Sequence, residues 1–247
     1  MSGKVLITRP TLSAQKTAEA IAAIGFECVI APVIDITPVD FDLPNSDEID
    51  GFVFTSVNGV QSFCAKSAYR DKPVYCVGDT TALAARDCGF HDVHNAKGTA
   101  QDLAQMIHDK TQVQRVYVHF RGRDVAHSIG ELLADSPKCT VIETIVYEAR
   151  VLESISPKAL KELENKTIEY ALFYSTRTAK AFTNLVIKAE CSSLMKPIKA
   201  LCLGHSMVEF VAKLPWKDII VSDTPNEAAL LSLLNKDKIN RSNYGQE

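Results

Sequence analysis

The chain has 247 residues, of which 46% are hydrophobic and 23% charged, so it can bury a substantial core as one large domain or two of about 120 residues. A formal charge of -3 excludes a general nucleic-acid binder, which would carry a strongly basic face, so any anionic ligand must be held locally. Seven cysteines, at positions 28, 64, 76, 88, 139, 191 and 202, are an odd number with no C-x-x-C pair, which argues against a disulfide framework and for reduced, buried packing residues in the cytoplasm.

The chain opens on Val5–Thr8, a short apolar strand, with no signal-type leader. No apolar run approaches the ~20 residues needed to span a membrane, so secretion and membrane insertion are both disfavoured. Ala14, Ala18, Ile21 and Ala22 follow at helical spacing, and Cys28–Ile30 reads as the next strand. Phe52–Thr55, Val74–Val77, Val116–Phe120, Val141–Tyr147, Ala171–Tyr174, Ala200–Leu203 and Ile219–Val221 are further strand candidates. Apolar positions at helical spacing follow nearly all of them, among them Val60/Phe63/Cys64, Leu103/Met106/Ile107, Ala179/Phe182/Leu185 and Leu230/Leu233/Leu234. That alternation predicts an α/β fold with parallel sheets flanked by helices.

Two extended, β-branched stretches, Val33–Val39 and Thr144–Val151, are not promptly followed by a helix. They are either paired crossovers between two domains, with the region around residues 38–147 inserted, or ordinary edge strands. Residues 235–247 are polar and aperiodic, which predicts a frayed tail.

One phrase occurs twice. Gly51-Phe-Val-Phe-Thr-Ser-Val-Asn-Gly-Val60, followed by Val74-Tyr-Cys-Val-Gly-Asp-Thr-Thr81, is matched by Tyr170-Ala-Leu-Phe-Tyr-Ser-Thr-Arg-Thr-Ala179, followed by Ala200-Leu-Cys-Leu-Gly-His-Ser-Met207. Ser56 and Ser175 stand at equivalent points, as do Gly78 and Gly204, and two like halves commonly place a binding cleft between them. Ligands of open parallel sheets bind outside the carboxyl ends of the strands. Those ends here are Thr8-Arg9-Pro10, Thr55-Ser56, Gly78-Asp79-Thr80-Thr81, Arg121-Gly122-Arg123, Tyr174-Ser175-Thr176-Arg177 and Gly204-His205-Ser206. Any one hydroxyl among them reads first as a helix cap. Their recurrence in both halves, with arginine at three ends, points instead to a donor-rich site for an anionic ligand.

Conventional chemistry finds little support. His91-x-x-His94 lacks a neighbouring ligand cluster, so no metal site is expected. No phosphate-binding glycine loop and no G-x-S-x-G elbow is present, which leaves a serine hydrolase or isomerase using Ser56 or Ser175 without positive support. His119 and His205 lie at strand ends, where either could act as acid or base. What remains is a two-lobed α/β protein with a cleft rich in N–H, hydroxyl and guanidinium donors, suited to a ligand carrying several carboxylates or phosphates. A non-catalytic two-lobe binding or regulatory protein for a small polyanion fits these donors as well as an enzyme does.

The motifs Val5-Leu-Ile-Thr-Arg-Pro10, Phe54-Thr-Ser-Val-Asn-Gly-Val60, Val77-Gly-Asp-Thr-Thr-Ala82, Val146-Tyr147, Phe173-Tyr-Ser175, Leu203-Gly204 and Thr224-Pro-Asn-Glu-Ala-Ala-Leu230 resemble, in order and spacing, those of uroporphyrinogen-III synthases across residues 4–234. The resemblance implies two α/β lobes joined by a two-stranded ladder: residues 1–34 and 151–247 forming a discontinuous first lobe, 38–147 the inserted second, and 35–37 with 148–150 the linkers. It implies a cytoplasmic, monomeric, cofactor-free lyase of heme biosynthesis, with a linear tetrapyrrole as its small-molecule substrate and no nucleic-acid or membrane partner. Hydroxymethylbilane would be cyclised to uroporphyrinogen III with inversion of the last ring and loss of water.

By the same resemblance Tyr147 is the candidate acid. Ser56, Asn58, Gly59, Gly78, Thr81, Ser175, Thr176, Arg177, Gly204 and Ser206 are candidate substrate-binding residues, with Arg9 a carboxylate partner through its planar fork. Two turns depart from the family pattern, because Ser175-Thr-Arg-Thr178 replaces a Ser-Pro-Ser-Gly type and Gly204-His-Ser-Met207 a Gly-Pro-Thr-Thr type.

Overall fold

A computed structural model describes residues 3–124 and 128–244 of the chain. In chain order the elements are β1 (Lys4–Ile7), α1 (Thr11–Ala23), β2 (Cys28–Ile30), β3 (Ile34–Pro38), β4 (Gly51–Phe54), α2 (Val57–Lys66), β5 (Val74–Cys76), α3 (Asp79–Asp87), β6 (Val93–Asn95) and α4 (Ala100–Lys110). They continue with β7 (Arg115–Gly122), α5 (Ile129–Leu132), β8 (Cys139–Val151), α6 (Pro157–Glu164), β9 (Ile168–Phe173), α7 (Thr176–Lys188), β10 (Lys199–Cys202), α8 (Val208–Val211), β11 (Asp218–Val221) and α9 (Glu227–Tyr244). The alternation of strand and helix expected from the periodicity is therefore present.

Contacts divide the chain into two units, Met1–Asp35 with Arg150–Glu247, and Ile36–Ala149. The chain leaves the first unit along β3 and returns to it along β8. The first unit holds a five-stranded sheet in the order β11-β10-β9-β1-β2, parallel throughout. The second holds a six-stranded sheet in the order β3-β8-β7-β4-β5-β6, in which β8 through β6 are parallel. The edge strand β3 runs against β8: Val39 N–H donates to Val146 O at 3.0 Å and Leu152 N–H to Val33 O at 3.0 Å, so residue number falls on one strand as it rises on the other.

Local sequence explains where the helices start and stop. Ser156 caps α6 with Pro157 in its first turn, and Thr99 with Asp102 forms a reciprocal capping box on α4. α1 and α3 end alike. Gly25 (φ 81°) and Gly89 (φ 91°) take the left-handed conformation that lacks a Cβ penalty. The N–H groups of Phe26 and Phe90 then reach back to Ile21 O and Ala85 O, and both rings are buried beneath the helix just ended.

Alternating side chains put the two faces of the second sheet to different uses. Phe52, Phe54, Val118 and Phe120 point to the α2/α3 face, where Phe63 lies 4.4 Å, centroid to centroid, from Phe120. Val53, Tyr75 and Tyr117 point to the other face, against Leu103, Ile107, Ile129 and Leu133 of the α4/α5 side. In the first unit Val5, Ile7, Tyr170, Leu172 and Leu201 pack against Ala14, Ile21, Leu230 and Leu234.

Three expectations need adjustment. The helix after β10 is a single turn, α8, preceded by a 3-10 turn at His205–Met207, so the second copy of the repeated phrase carries a shorter second helix than the first. The helical hydrogen-bonding pattern of α9 continues past Asn235 to Tyr244, beyond the point where apolar periodicity stops, while residues 245–247 of the expected tail lie outside the described residues. Only Cys76 and Cys202 of the seven free cysteines are buried, and the other five are half-buried.

Gly59 lies where α2 crosses β7, and a Cβ built there would stand 2.8 Å from the backbone oxygen of Phe120. Gly59→Ala should therefore destabilise the protein by about 1–3 kcal/mol through overpacking. Urea denaturation measures this, and an unchanged midpoint would show that α2 can retreat freely.

Candidate functional site

In both sheets the strand order reverses near the middle. In the second unit β4, β5 and β6 run to one side, and β7 then pairs on the other side of β4. In the first unit β1 and β2 run one way, and β9, β10 and β11 extend from the other side of β1. Helices leaving the two neighbouring strands at such a point diverge to opposite faces, which opens a crevice at the carboxyl ends. The crevice residues are Thr55, Ser56 and Arg121–Gly122 in one unit, and Thr8, Arg9, Tyr174 and Ser175 in the other.

The repeated phrase proves to be a repeated conformation. Ser56 caps α2 at φ -153°, ψ 153° and accepts from Gly59 N–H at 3.1 Å; Ser175 caps α7 at φ -153°, ψ 151° and accepts from Thr178 N–H at 3.2 Å. Gly78 and Gly204, both extended, precede the next helical turn in each unit. The hydroxyls of both serines thus satisfy backbone donors of their own helices.

Beyond its cap bond, Ser56 Oγ lies 3.0 Å from Tyr147 Oη. A register shift in β8 makes this possible. Arg121 pairs with Ile145 but Gly122 pairs with Tyr147, so Val146 is the extra residue of a bulge. Without it, Tyr147 would share the face of Glu143 and Ile145; with it, the ring turns to the Phe120 face. Gly122 provides the space, since a Cβ there would stand 2.7 Å from Tyr147 Cζ. The tyrosine is 9% exposed.

On the opposite face of the same strand ends lies a polar relay. His119 is fully buried; its Nε2 lies 3.1 Å from Thr55 Oγ1 and its Nδ1 lies 3.2 Å from both Glu143 oxygens. A carboxylate only accepts, so Nδ1–H is the donor. Ser128 Oγ donates to Glu143 at 2.7 Å and Gly130 N–H at 3.0 Å, while Arg121 Nε forms an ion pair with the carboxylate. Burial alone would push the Glu143 carboxyl up. The hydrogen bond and attraction of His119, with the Gly130 and Ser128 donors, outweigh it and hold that carboxyl at about 2.

In the first unit Thr8 is sealed by its hydroxyl donating to Leu172 O at 2.8 Å. Arg9 Nη1 donates to Thr17 Oγ1 at 2.9 Å and to Glu227 Oε1 at 3.0 Å, with its guanidinium carbon 4.0 Å above the Tyr174 ring. Thr176 Oγ1 donates to Ser206 Oγ at 3.0 Å, joining the ends of β9 and β10.

The structure thus brings together Ser56 with Tyr147, and Thr176 with Ser206. Asn58, Gly78, Thr176 and Gly204 are half-buried, Ser175, Arg177 and Ser206 are exposed, and Gly59 and Thr81 are buried. Arg9 already holds a carboxylate. Three contributors escaped the sequence: Gly122 as the seat of Tyr147, Glu143 as the partner of His119, and Glu227 as the partner of Arg9. Glu143 sits in an alternating strand with no local signal, whereas Glu227 lay inside a recognisable motif without a visible partner.

Among the described residues no cluster of three or more His, Cys, Asp or Glu side chains is placed to hold a metal, and no helix is long and apolar enough to cross a membrane. A cavity of about 350 Å³ lined by His108, Thr111, Ser136 and Lys138 lies at the amino end of β8, the opposite end of the sheet from the switch-point crevice.

A family model described as "Uroporphyrinogen-III synthase HemD" matches residues 15–232. Among curated proteins, the chain is 20% identical over 250 residues to "Porphyrin biosynthesis protein HemD" of Ruminiclostridium josui, covering 94% of this chain and 48% of that one. It thus spans about half the length of that relative. It is 25% identical over 228 residues to "Putative uroporphyrinogen-III synthase" of Methanocaldococcus jannaschii, covering 88% and 92%. Among solved structures, uroporphyrinogen-III synthetase from Helicobacter pylori matches with a TM-score of 0.62 at 15% identity, over 96% of this chain and 99% of that one. A mutant uroporphyrinogen III synthase from Thermus thermophilus matches with a TM-score of 0.50 at 15% identity, over 96% and 98%. At these identities the structural likeness is one of fold.

The depressed Glu143 carboxyl links stability to pH. Its stabilising contribution is complete above the ordinary value of 4.5 and is lost as pH falls toward about 2. Glu143→Gln should cost on the order of 2 kcal/mol at neutral pH and flatten the loss of stability between about pH 5 and 2. Denaturant midpoints across that range measure both, and parallel pH curves for the two proteins would contradict the assignment.

Proposed function

Since the chain belongs to the uroporphyrinogen-III synthase family, the cyclising lyases of tetrapyrrole biosynthesis, we propose that it converts hydroxymethylbilane to uroporphyrinogen III, acting as a cytoplasmic monomer without a cofactor. The observation that carries this reading is the Tyr147 hydroxyl, seated by Gly122 and a strand bulge 3.0 Å from Ser56 Oγ at the switch point of the second unit.

The chemistry asks little of the protein in reactive groups and much in geometry. The electron-rich terminal pyrrole expels its hydroxyl, breaking the C–O bond to leave an azafulvene cation. Tyr147 gives its proton to that hydroxyl, which departs as water. The substituted carbon of the last ring then attacks the cation, forming a C–C bond and a spiro intermediate. The older bond from that carbon to its bridging methylene breaks to leave a second azafulvene cation, which the unsubstituted carbon of the same ring captures. Loss of the proton from that carbon restores the pyrrole's aromaticity and returns a proton to the phenolate. Free in solution, the unsubstituted position reacts instead and the uninverted isomer forms. Holding the chain so that only the substituted carbon reaches the cation is the enzyme's main contribution.

The substrate's carboxylates supply the handles. The first turns of α2, α3 and α7 offer N–H groups at Asn58, Thr81, Thr176 and Arg177, each favouring an anion by about 0.3–1 kcal/mol. Ser56, Gly59 and Gly78 in the second unit, and Ser175, Gly204 and Ser206 in the first, are further candidate contacts within their own units, and Arg9 offers a full positive charge. Contacts this weak must be numerous, which fits donors repeated in two units.

Purified protein incubated with freshly prepared hydroxymethylbilane should yield the type III isomer, separable from type I by chromatography; type I alone at the background rate would sink the proposal. Tyr147→Phe should lower the turnover for type III by about 100-fold, the smaller end of what a positioned acid contributes. Gly122→Ala, whose Cβ would stand 2.7 Å from Tyr147 Cζ and 3.0 Å from its hydroxyl oxygen, should displace the phenol and lower kcat in the same direction. A wild-type rate in Tyr147→Phe would remove the acid role and leave the family assignment standing.

A further inference from the structure

The carboxylate already seated on Arg9 belongs to the protein. Glu227, the first residue of α9, places Oε1 3.0 Å from Arg9 Nη1 and 2.7 Å from Thr17 Oγ1. Thr17 Oγ1 also receives the second Arg9 contact at 2.9 Å. Beneath the guanidinium, Tyr174 Oη is buried close to Thr17 and Glu227 but makes no hydrogen bond of ordinary geometry. Burial, and then the Glu227 charge, push this phenol above its ordinary value, so it keeps its proton and remains a donor.

The cluster therefore has the parts of a carboxylate pocket: a guanidinium, an aliphatic hydroxyl and a buried phenol, at the carboxyl ends of β1 and β9. Its present occupant bonds the guanidinium and the hydroxyl in good geometry and reaches the phenol only in poor geometry. Leaving a buried donor unmade is costly. The Glu227 side chain is 44% exposed and the Arg9 side chain 21%, so the occupant can swing into water while the pocket stays in place.

We propose that Glu227 is an internal stand-in for a substrate carboxylate, holding Arg9 ready in the empty enzyme and giving up its place when a carboxylate of the linear tetrapyrrole arrives to bond Arg9 and Tyr174 together. This inference rests on the proposed activity for the identity of the ligand, and on the geometry for the pocket itself. It makes Glu227 a positioning residue that acts through Arg9: the ion pair keeps a flexible arginine ordered over Tyr174, and its rupture weakens every binding event.

That weakening is the strength of a partly exposed ion pair. Glu227→Gln should lower KM for hydroxymethylbilane by about two- to fivefold and act on KM rather than kcat. Glu227→Asp, which keeps the charge at the start of α9 but withdraws it from Arg9 by one methylene, should lower KM in the same direction and serves if the glutamine variant folds poorly. In an Arg9→Met background, where KM is already raised, the Glu227→Gln change should have no further effect. Binding of the oxidised product, a fluorescent polycarboxylate porphyrin, should tighten by the same factor.

A KM that rises or stays level in both Glu227 variants would overturn the inference and make the pair a structural tie, which a fall in melting temperature would accompany. If the wild type forms no type III isomer, the proposed activity fails. The porphyrin titration then decides the pocket alone: tighter binding by Glu227→Gln supports it and unchanged or weaker binding refutes it.

Discussion

Reversal of strand order is the constraint from which the remaining features follow. A parallel sheet extended always to one side sends its crossover helices to one face and leaves its strand ends capped. When β7 returns to pair beside β4, and β9 beside β1, the helices after the paired strands must diverge, and the ends they vacate become accessible. Thr55, Ser56 and Tyr147 lie at one of those two places, and Arg9, Tyr174 and Ser175 at the other. The serine caps of α2 and α7 lie there because a divergent pair of helix N-termini leaves backbone N–H groups that need anionic or hydroxyl partners.

At the second-unit reversal, the two faces of β8 serve different ends, and one extra residue separates them. Ahead of the bulge, Glu143 faces His119, which Thr55 holds from its other side, and is ionised, bonded and half-buried. Past it, Tyr147 faces the Phe120 side and meets Ser56. Thr55 and Ser56 are adjacent in the chain, so the relay anchors the turn whose next residue touches the tyrosine. This arrangement keeps a charged network, which would be costly beside an aromatic core, on the far side of the sheet from the phenylalanine cluster.

The first-unit reversal is built from the same phrase with different consequences. Its serine cap has nearly the same backbone angles as its counterpart, and its hydroxyl turns to Thr178 of its own helix instead of to a tyrosine. A single arginine lies over Tyr174 and is held by Glu227. The repeat thus reproduces a backbone and its anion-favouring N–H groups, while the side chains differ: a tyrosine hydroxyl meets the serine cap in one unit, and an arginine paired with Glu227 lies over the strand-end tyrosine in the other.

The α/β class, the order of the strands along the chain, the twin caps and glycines and the family itself could all be read from the sequence, because each is written in a local period or in consecutive residues. The same holds for Arg9, Ser56 and Ser175 as strand-end groups. Tertiary structure alone decided which strands became neighbours, and hence that His119 meets Glu143 across a distance of 24 residues and Arg9 meets Glu227 across 218. It decided the face of Tyr147 as well, since period-two alternation over Thr144–Val151 assigns the ring to the wrong side and only the register against β7 reveals the extra residue. A local pattern fixes which groups are available at a strand end; pairing between distant segments, which no short window contains, fixes what each group touches.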